Sequence, residues 1–261
     1  MRAYRALARA MALSALAYRT NFLLGLGGVF FQLIALLAVW RVLVAQSPVQ
    51  GFTWAQMQAY LLVAFASGTL VSILGDFRMA FRIQSGLVAL DLIKPVDYQR
   101  ARFAEALGGV WIELLVVAAV GGATVAFTGG MQAPASPALA LFLLSMLLLI
   151  PLKFLLVYVS TLACFWTQNF IGVQWARMAI MNLLSGALIP LVYLPHWLAT
   201  VAQWSPFAGL TSTPALIFIG RVDARQGVVM VAVQLAWVVL LWFGARLVWR
   251  AALRRLTVNG G

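Results

Sequence analysis

Residues 139–159 read LALFLLSMLLLIPLKFLLVYV. This run carries one charge, Lys153, and one proline, Pro151. About 20 consecutive apolar residues match the hydrocarbon core of a bilayer when coiled as an α-helix. A strand of a membrane β-barrel would instead alternate apolar and polar residues, and this run does not alternate. It therefore reads as a membrane-crossing helix. The rest of the chain has the same cast. Of its 261 residues, 64% are hydrophobic and 9% are charged, and the mean hydropathy is +0.98. A soluble domain carries roughly 25% charged residues, so there is too little charge here for a polar skin. The expected fold is an all-α polytopic membrane protein, with residues 1–261 forming a single transmembrane domain.

Outward from that helix, five more apolar runs appear. The expected spans are 21–44, 57–74, 106–127, 138–165, 174–192 and 227–249. Turn residues mark the joints, such as Pro48 and Gly51 in QSPVQGFTWAQ (46–56) and the uncharged TGGMQAPASP (128–137). At the start of the chain, Arg2, Arg5 and Arg9 recur at helical spacing opposite Tyr4, Leu7 and Met11. That pattern over residues 1–20 suits an amphipathic helix lying in the membrane interface with its arginines toward anionic headgroups; the alternative is a solvated basic tail. The stretch lacks the apolar core and small-residue cleavage site of a signal peptide.

The formal net charge is +12, and its distribution decides its meaning. Six spans put both termini on one side. Fourteen of the 18 basic residues fall on that side, and only Arg41, Arg221 and Arg225 fall on the other, with Lys153 inside a span. Basic residues accumulate in cytoplasmic loops, so both termini are expected in the cytoplasm. The basic balance is thus a topology signal and does not call for nucleic acid.

Catalytic chemistry is sparse. No GxxxxGK[ST] is present, so the chain has no phosphate loop for ATP. The single histidine, His196, lies among aromatics, and the single cysteine, Cys164, reads as an apolar filler within a helix. No metal-ligating set and no catalytic set is expected. Ionisable residues inside a membrane usually mark function. Here Glu113 and Lys153 are the deep ones; they can pair, or Lys153 can snorkel.

One stretch breaks the apolar monotony: IQSGLVALDLIKPVDYQRARF, residues 83–103. It sits within a polar region, 76–104, between the second and third spans. Apolar positions from Phe77 to Leu90 recur at helical spacing, while Arg78, Arg82 and Ser85 share another face. Gly86 interrupts, and Pro95 ends the helix by disfavouring helical geometry at Lys94. Asp97 then suits the cap of a new helix, YQRARFAEAL. The residues alone leave two readings: a docking element for a cytoplasmic partner, or a plain solvated loop. The other irregular region, 193–226, is rich in Trp, Tyr and Pro and too broken to span. It is either a re-entrant segment that dips into the membrane or a surface loop with interfacial anchors.

Two stretches carry a family resemblance: SGLVALDLIKPVDYQ (85–99) and LLSGALIPLVYLPHWLATVAQWSPF (183–207). They resemble the membrane (permease) subunit of bacterial type 2 ATP-binding-cassette (ABC) exporters. The similar branch is a long-uncharacterised one with a Gly-x-Leu…Leu-x-[Lys/Arg]-Pro-Val/Ile element, here Gly86, Leu87, Leu92, Lys94, Pro95 and Val96. ALAYRTNFLLGL (15–26) is similar to that branch as well. The resemblance implies a bacterial inner-membrane permease that pairs with a second copy or a paralogue. Two separate ATPase subunits would dock on it and hold the ATP and Mg, with no cofactor in this chain. The helix between spans two and three would be the coupling helix, with Arg78, Arg82, Gly86, Asp91, Lys94 and Pro95 as coupling candidates. Glu113, Lys153, Gly186, Pro190, Pro195 and Trp197 are the translocation or gate candidates. The cargo class would be hydrophobic or amphipathic: drug, lipid or glycan-like. Two other classes stand beside this one. An accessory scaffold subunit would have no pathway of its own, and an intramembrane lipid-modifying enzyme would need Glu113, Lys153 and His196 to converge.

Overall fold

The structure is a computed structural model that describes residues 2–17, 19–46, 51–71, 74–128, 136–167 and 169–255. Every regular element among the described residues is helical. In chain order the α-helices are α1 (Arg2–Ala17), α2 (Arg19–Gln46), α3 (Trp54–Thr69), α4 (Leu74–Gln84), α5 (Val88–Leu92), α6 (Tyr98–Thr128), α7 (Ser136–Leu162), α8 (Phe170–Leu184), α9 (His196–Trp204), α10 (Ser212–Phe218) and α11 (Ala224–Leu253). Short 3-10 turns at 163–165, 191–193 and 208–210 link the later ones.

Among the described residues, three apolar segments are long enough to cross a membrane: Tyr98–Phe127, Pro137–Phe165 and Ala224–Leu253. At 29 or 30 residues each and about 1.5 Å per residue, they reach about 45 Å, more than a hydrocarbon core of about 30 Å requires. Phe30–Ala45 and Phe170–Leu184 are shorter apolar helices.

Helix α7 is the organising element, packing against α11, α10, α8 and α4. Leu149, Leu152, Leu155, Tyr158 and Leu162 form its fully buried stripe, at the three-to-four-residue spacing of one helix face. A polar clasp joins α7 to α11. The Ser145 hydroxyl donates to Gln234 Oε1 at 2.8 Å, and Gln234 Nε2 donates to the carbonyls of Ser145 (2.9 Å) and Gly209 (3.0 Å). All of Gln234's amide capacity that matters in an apolar interior is thereby used.

Helix α3 is buried over most of its length because protein surrounds it. It packs against α2, α6 and α10, and Met57, Tyr60 and Leu61 have no exposed surface. Its start is fixed by a capping box: Gln56 N–H donates to Thr53 Oγ1 at 3.3 Å, and Thr53 N–H donates to Gln56 Oε1 at 3.2 Å. Helix α1 packs along α6. Gly108 makes this possible, since a Cβ there would collide with the Ala8 backbone.

The boundaries shift from those expected. The third and sixth spans lengthen into α6 and α11, each gaining residues at both ends. The helix opened by Asp97 runs into the third span without a break, and Arg100 N–H donates to Asp97 Oδ1 at 2.8 Å. The second span ends at Thr69, short of residue 74, and the fifth ends at Leu184, short of residue 192. The second is stopped by buried partners from other helices. The fifth is stopped by Gly186 in the left-handed region at φ +80° and by Pro190, whose missing N–H cannot continue a helix.

Candidate coupling surface and buried elbow

The polar stretch 76–104 becomes two short helices and a cap. Gly86 breaks it with φ +73°, a conformation glycine adopts without steric cost. Helix α4 is two-faced. Met79, Ala80 and Ile83 enter the core with Val88 of α5, and Phe77 meets Phe170 of α8 edge-on at 5.2 Å. Exposed apolar residues stand on both pieces of the segment: Phe81 of α4 is 64% exposed, Leu90 and Leu92 of α5 are exposed, and Ile93 just after α5 is 78% exposed.

The charged candidates of this stretch form a staple. Asp91 is buried, its side chain 3% exposed. Arg82 Nε donates to Asp91 Oδ2 at 2.7 Å, and Lys94 Nζ donates to Oδ1 at 2.8 Å. Burial alone would raise the Asp91 carboxyl. The hydrogen bonds from Arg82 and Lys94, with the nearby charge of Arg102, outweigh it and hold the group below its ordinary 3.8. The staple ties α4 to α5 across the Gly86 break, and the Pro95 turn follows, with Val96 N–H on the Lys94 carbonyl at 2.8 Å. Arg78 reaches the other way and donates to Met11 Sδ of α1 at 2.9 Å. Asp97 N–H donates to the Tyr4 hydroxyl at 3.2 Å. So α1, α4, α5 and the start of α6 are laced into one end of the bundle.

The second feature lies where α3 stops. Lys153, 9% exposed, extends from α7 and donates through Nζ to the carbonyls of Ser67 (3.1 Å), Gly68 (2.7 Å) and Leu70. Glu113 arrives from α6, and its Oε2 accepts from Val71 N–H at 2.6 Å. Val71 itself stands at φ +55°, rare for a β-branched residue. The last carbonyls of a helix have no intrahelical donors and carry the negative end of its dipole. An ammonium is the complementary group, and Lys153 supplies it. Glu113 and Lys153 thus act on one backbone turn, Ser67–Val71.

The other gate candidates lie elsewhere. The Gly186 carbonyl accepts from the Tyr60 hydroxyl at 2.8 Å, and Ser212 N–H donates to the Ser185 carbonyl at 3.0 Å. Pro190 is buried beside this junction. Pro195 and Trp197 are exposed at the head of α9, as is His196. No Glu113–Lys153–His196 convergence of the kind a lipid-modifying enzyme requires is present in this arrangement: two of the three grip the elbow, and the third faces outward.

Sequence reasoning missed Tyr60, whose burial gives no signal in a run of apolar residues. It missed the whole Ser67–Val71 turn, because backbone carbonyls leave no mark in a sequence. It also missed Arg221, which stacks on Phe52 with its Cζ 4.2 Å from the ring centre and donates to the Gly51 carbonyl at 2.8 Å. Among the described residues, no group of acidic, histidine and cysteine side chains is placed to hold a metal ion. In a comparison with curated proteins, none matches this chain. A family comparison does: with an all-helical, apolar bundle and a two-faced helix pair between its second and third long elements, the chain matches the family described as ABC-2 family transporter protein over residues 29–260, and it belongs to that family of transporter membrane subunits.

Proposed function

We propose that the chain is the permease subunit of an ABC exporter of the bacterial inner membrane. Residues of α4 and α5 dock into two separate cytoplasmic ATPase subunits, which carry the ATP and Mg. The chain pairs with a second permease, a copy or a paralogue, to frame a pathway for a hydrophobic or amphipathic cargo. In this reading the chain crosses the membrane six times, with both termini in the cytoplasm and the 193–226 region re-entrant from the far side. Helices α3 and α8 are too short to span alone, and the turns that follow them carry the chain onward.

One observation carries the reading: Phe81, Leu90, Leu92 and Ile93 stand exposed on and beside a helix pair stapled by Asp91. Apolar side chains left open at a polar, charged end of a membrane protein mark a protein interface. The Asp91 staple supports it, because a lever that transmits force must not bend at Gly86. The exposed apolar flanks of α2, α6 and α11, by contrast, suit lipid tails.

The test is co-purification of the full chain with the ATPase subunits encoded beside it. The wild type is expected to retain ATPase, and Phe81→Asp with Ile93→Asp is expected to release it while helical circular dichroism stays unchanged. A wild type that retains none, or a double variant that retains as much as wild type, would overturn the proposal.

A further inference from the structure

The Ser67–Val71 turn has the chemistry of a cation site. Three carbonyl oxygens, those of Ser67, Gly68 and Leu70, converge on one point, and the ammonium of Lys153 occupies it. The turn closes a helix inside the bundle, where Leu70 and Val71 are buried among core residues. Ser67 and Leu70 are buried while Gly68 is exposed, so two of the three carbonyls depend on a donor or a cation supplied by the protein. A lysine head offers three donors in rotatable, near-tetrahedral directions, whereas an arginine offers a flat fork.

The position of this site matters. Helix α4 begins at Leu74, a few residues beyond Val71, and α7 also packs directly on α4. Glu113 holds the same turn from α6 through Val71 N–H. Helices α3, α6 and α7 therefore meet at the turn that precedes α4. Val71 is β-branched and held at φ +55°. Such conformations persist only where the surroundings over-determine them. Glu113 grips the Val71 N–H and Lys153 the carbonyl just before it.

We infer that Ser67–Val71 is a carbonyl cage for a primary ammonium ion, that Lys153 fills it as a tethered cation, and that this latch transmits motion of the α4–α5 segment to α7. The transmission half rests on the permease reading above; the cage half does not.

Chemical rescue separates the two. Lys153→Ala keeps the cage and leaves room for a small amine. For the purified full chain in detergent, methylammonium chloride is expected to raise the melting temperature of Lys153→Ala by about 3 °C over the same concentration of tetramethylammonium chloride. The wild type and Lys153→Met, whose side chain fills the space, are expected to show no such difference. Lys153→Arg is expected to melt low, since its fork does not match the cage. Equal melting of Lys153→Ala in the two salts would overturn the cage. In the complex with its ATPase, Lys153→Ala is expected to retain the ATPase but lose about tenfold in ATP hydrolysis, with part of it restored by methylammonium alone. Hydrolysis at the wild-type rate would overturn the latch. Should Lys153→Ala fail to fold, hydrogen exchange on the wild-type complex decides. Binding of a non-hydrolysable ATP analogue is expected to speed exchange at the Leu70 and Val71 amides, and unchanged exchange would overturn the latch. The melting arm needs no ATPase, so a chain that binds none would sink the permease reading without touching the cage.

Discussion

Asp91 shows how much one carboxylate can organise. Its two oxygens take separate partners, Arg82 and Lys94, on either side of a helix break. Replacing it with alanine leaves two cations facing each other and is expected to cost about 2 kcal/mol. The pH dependence has a definite sign. The folded carboxyl sits below its ordinary 3.8, so its ionised form stabilises the fold, fully so above that value. The contribution fades as pH falls through the lowered folded pKa. Melting curves of wild type and Asp91→Asn are therefore expected to differ most at neutral pH and to converge once the pH drops below 3.8. A gap that persists or widens in acid would contradict the staple. Gly186 gives a second residue-scale prediction. A Cβ there would lie 2.6 Å from the Tyr60 hydroxyl, at φ +80°. Gly186→Ala is expected to lower stability by about 2 kcal/mol, and Tyr60→Phe in the same background is expected to recover part of the loss in thermal melts. The sequence pointed to Asp91, Lys94 and Gly86 because charges and a glycine stand out in apolar surroundings. It did not say that Asp91 faces inward, because helical phase across a glycine break depends on a backbone angle the sequence does not state.

At the scale of elements, the apolar run 139–159 was legible almost to the residue, since length and hydropathy are the signals a bilayer imposes. α7 matches that reading, carried on by the 3-10 turn at 163–165. The end of α3 was not legible: it stops inside apolar sequence where Lys153 and Glu113 reach the chain, and that stop leaves no change in composition. The end of α8 was marked by Gly186 and Pro190, and only its exact residue, Leu184 in place of 192, needed the structure. The seat of α1 was hidden. Its arginine spacing predicts a helix, but the groove that receives it depends on one small residue in α6. Gly108→Val is expected to push the two helices apart, since the new side chain has only the Ala8 backbone to meet. Trypsin is then expected to cut after Arg5 and Arg9 faster than in wild type, while the α7–α11 clasp stays intact. Equal cleavage rates would show that α1 is held by something other than this contact.

Over the whole molecule, fold class and family were readable early, from composition and from a few punctuating residues around Gly86 and Pro95. What emerged only in three dimensions is how this segment is held: Arg82 and Lys94 pin Asp91 across the Gly86 break, and Lys153 and Glu113, from two other helices, grip the turn ahead of α4. A single charge among its exposed apolar residues should therefore uncouple binding from folding. Leu90→Asp is expected to weaken ATPase retention with little change in melting temperature, because Leu90 is already more than half exposed. A fall in melting temperature matching the loss of retention would mean that Leu90 serves the fold instead. The lacing of α1 to this end of the bundle also has a practical side. The Tyr4 hydroxyl accepts from Asp97 N–H and Met11 from Arg78, so anything fused ahead of Arg2 hangs beside this segment. The last turns of α11 lie at this end too, with Trp249 stacked on Tyr98 at 4.2 Å, so affinity tags and fluorescent reporters at either terminus need a long linker.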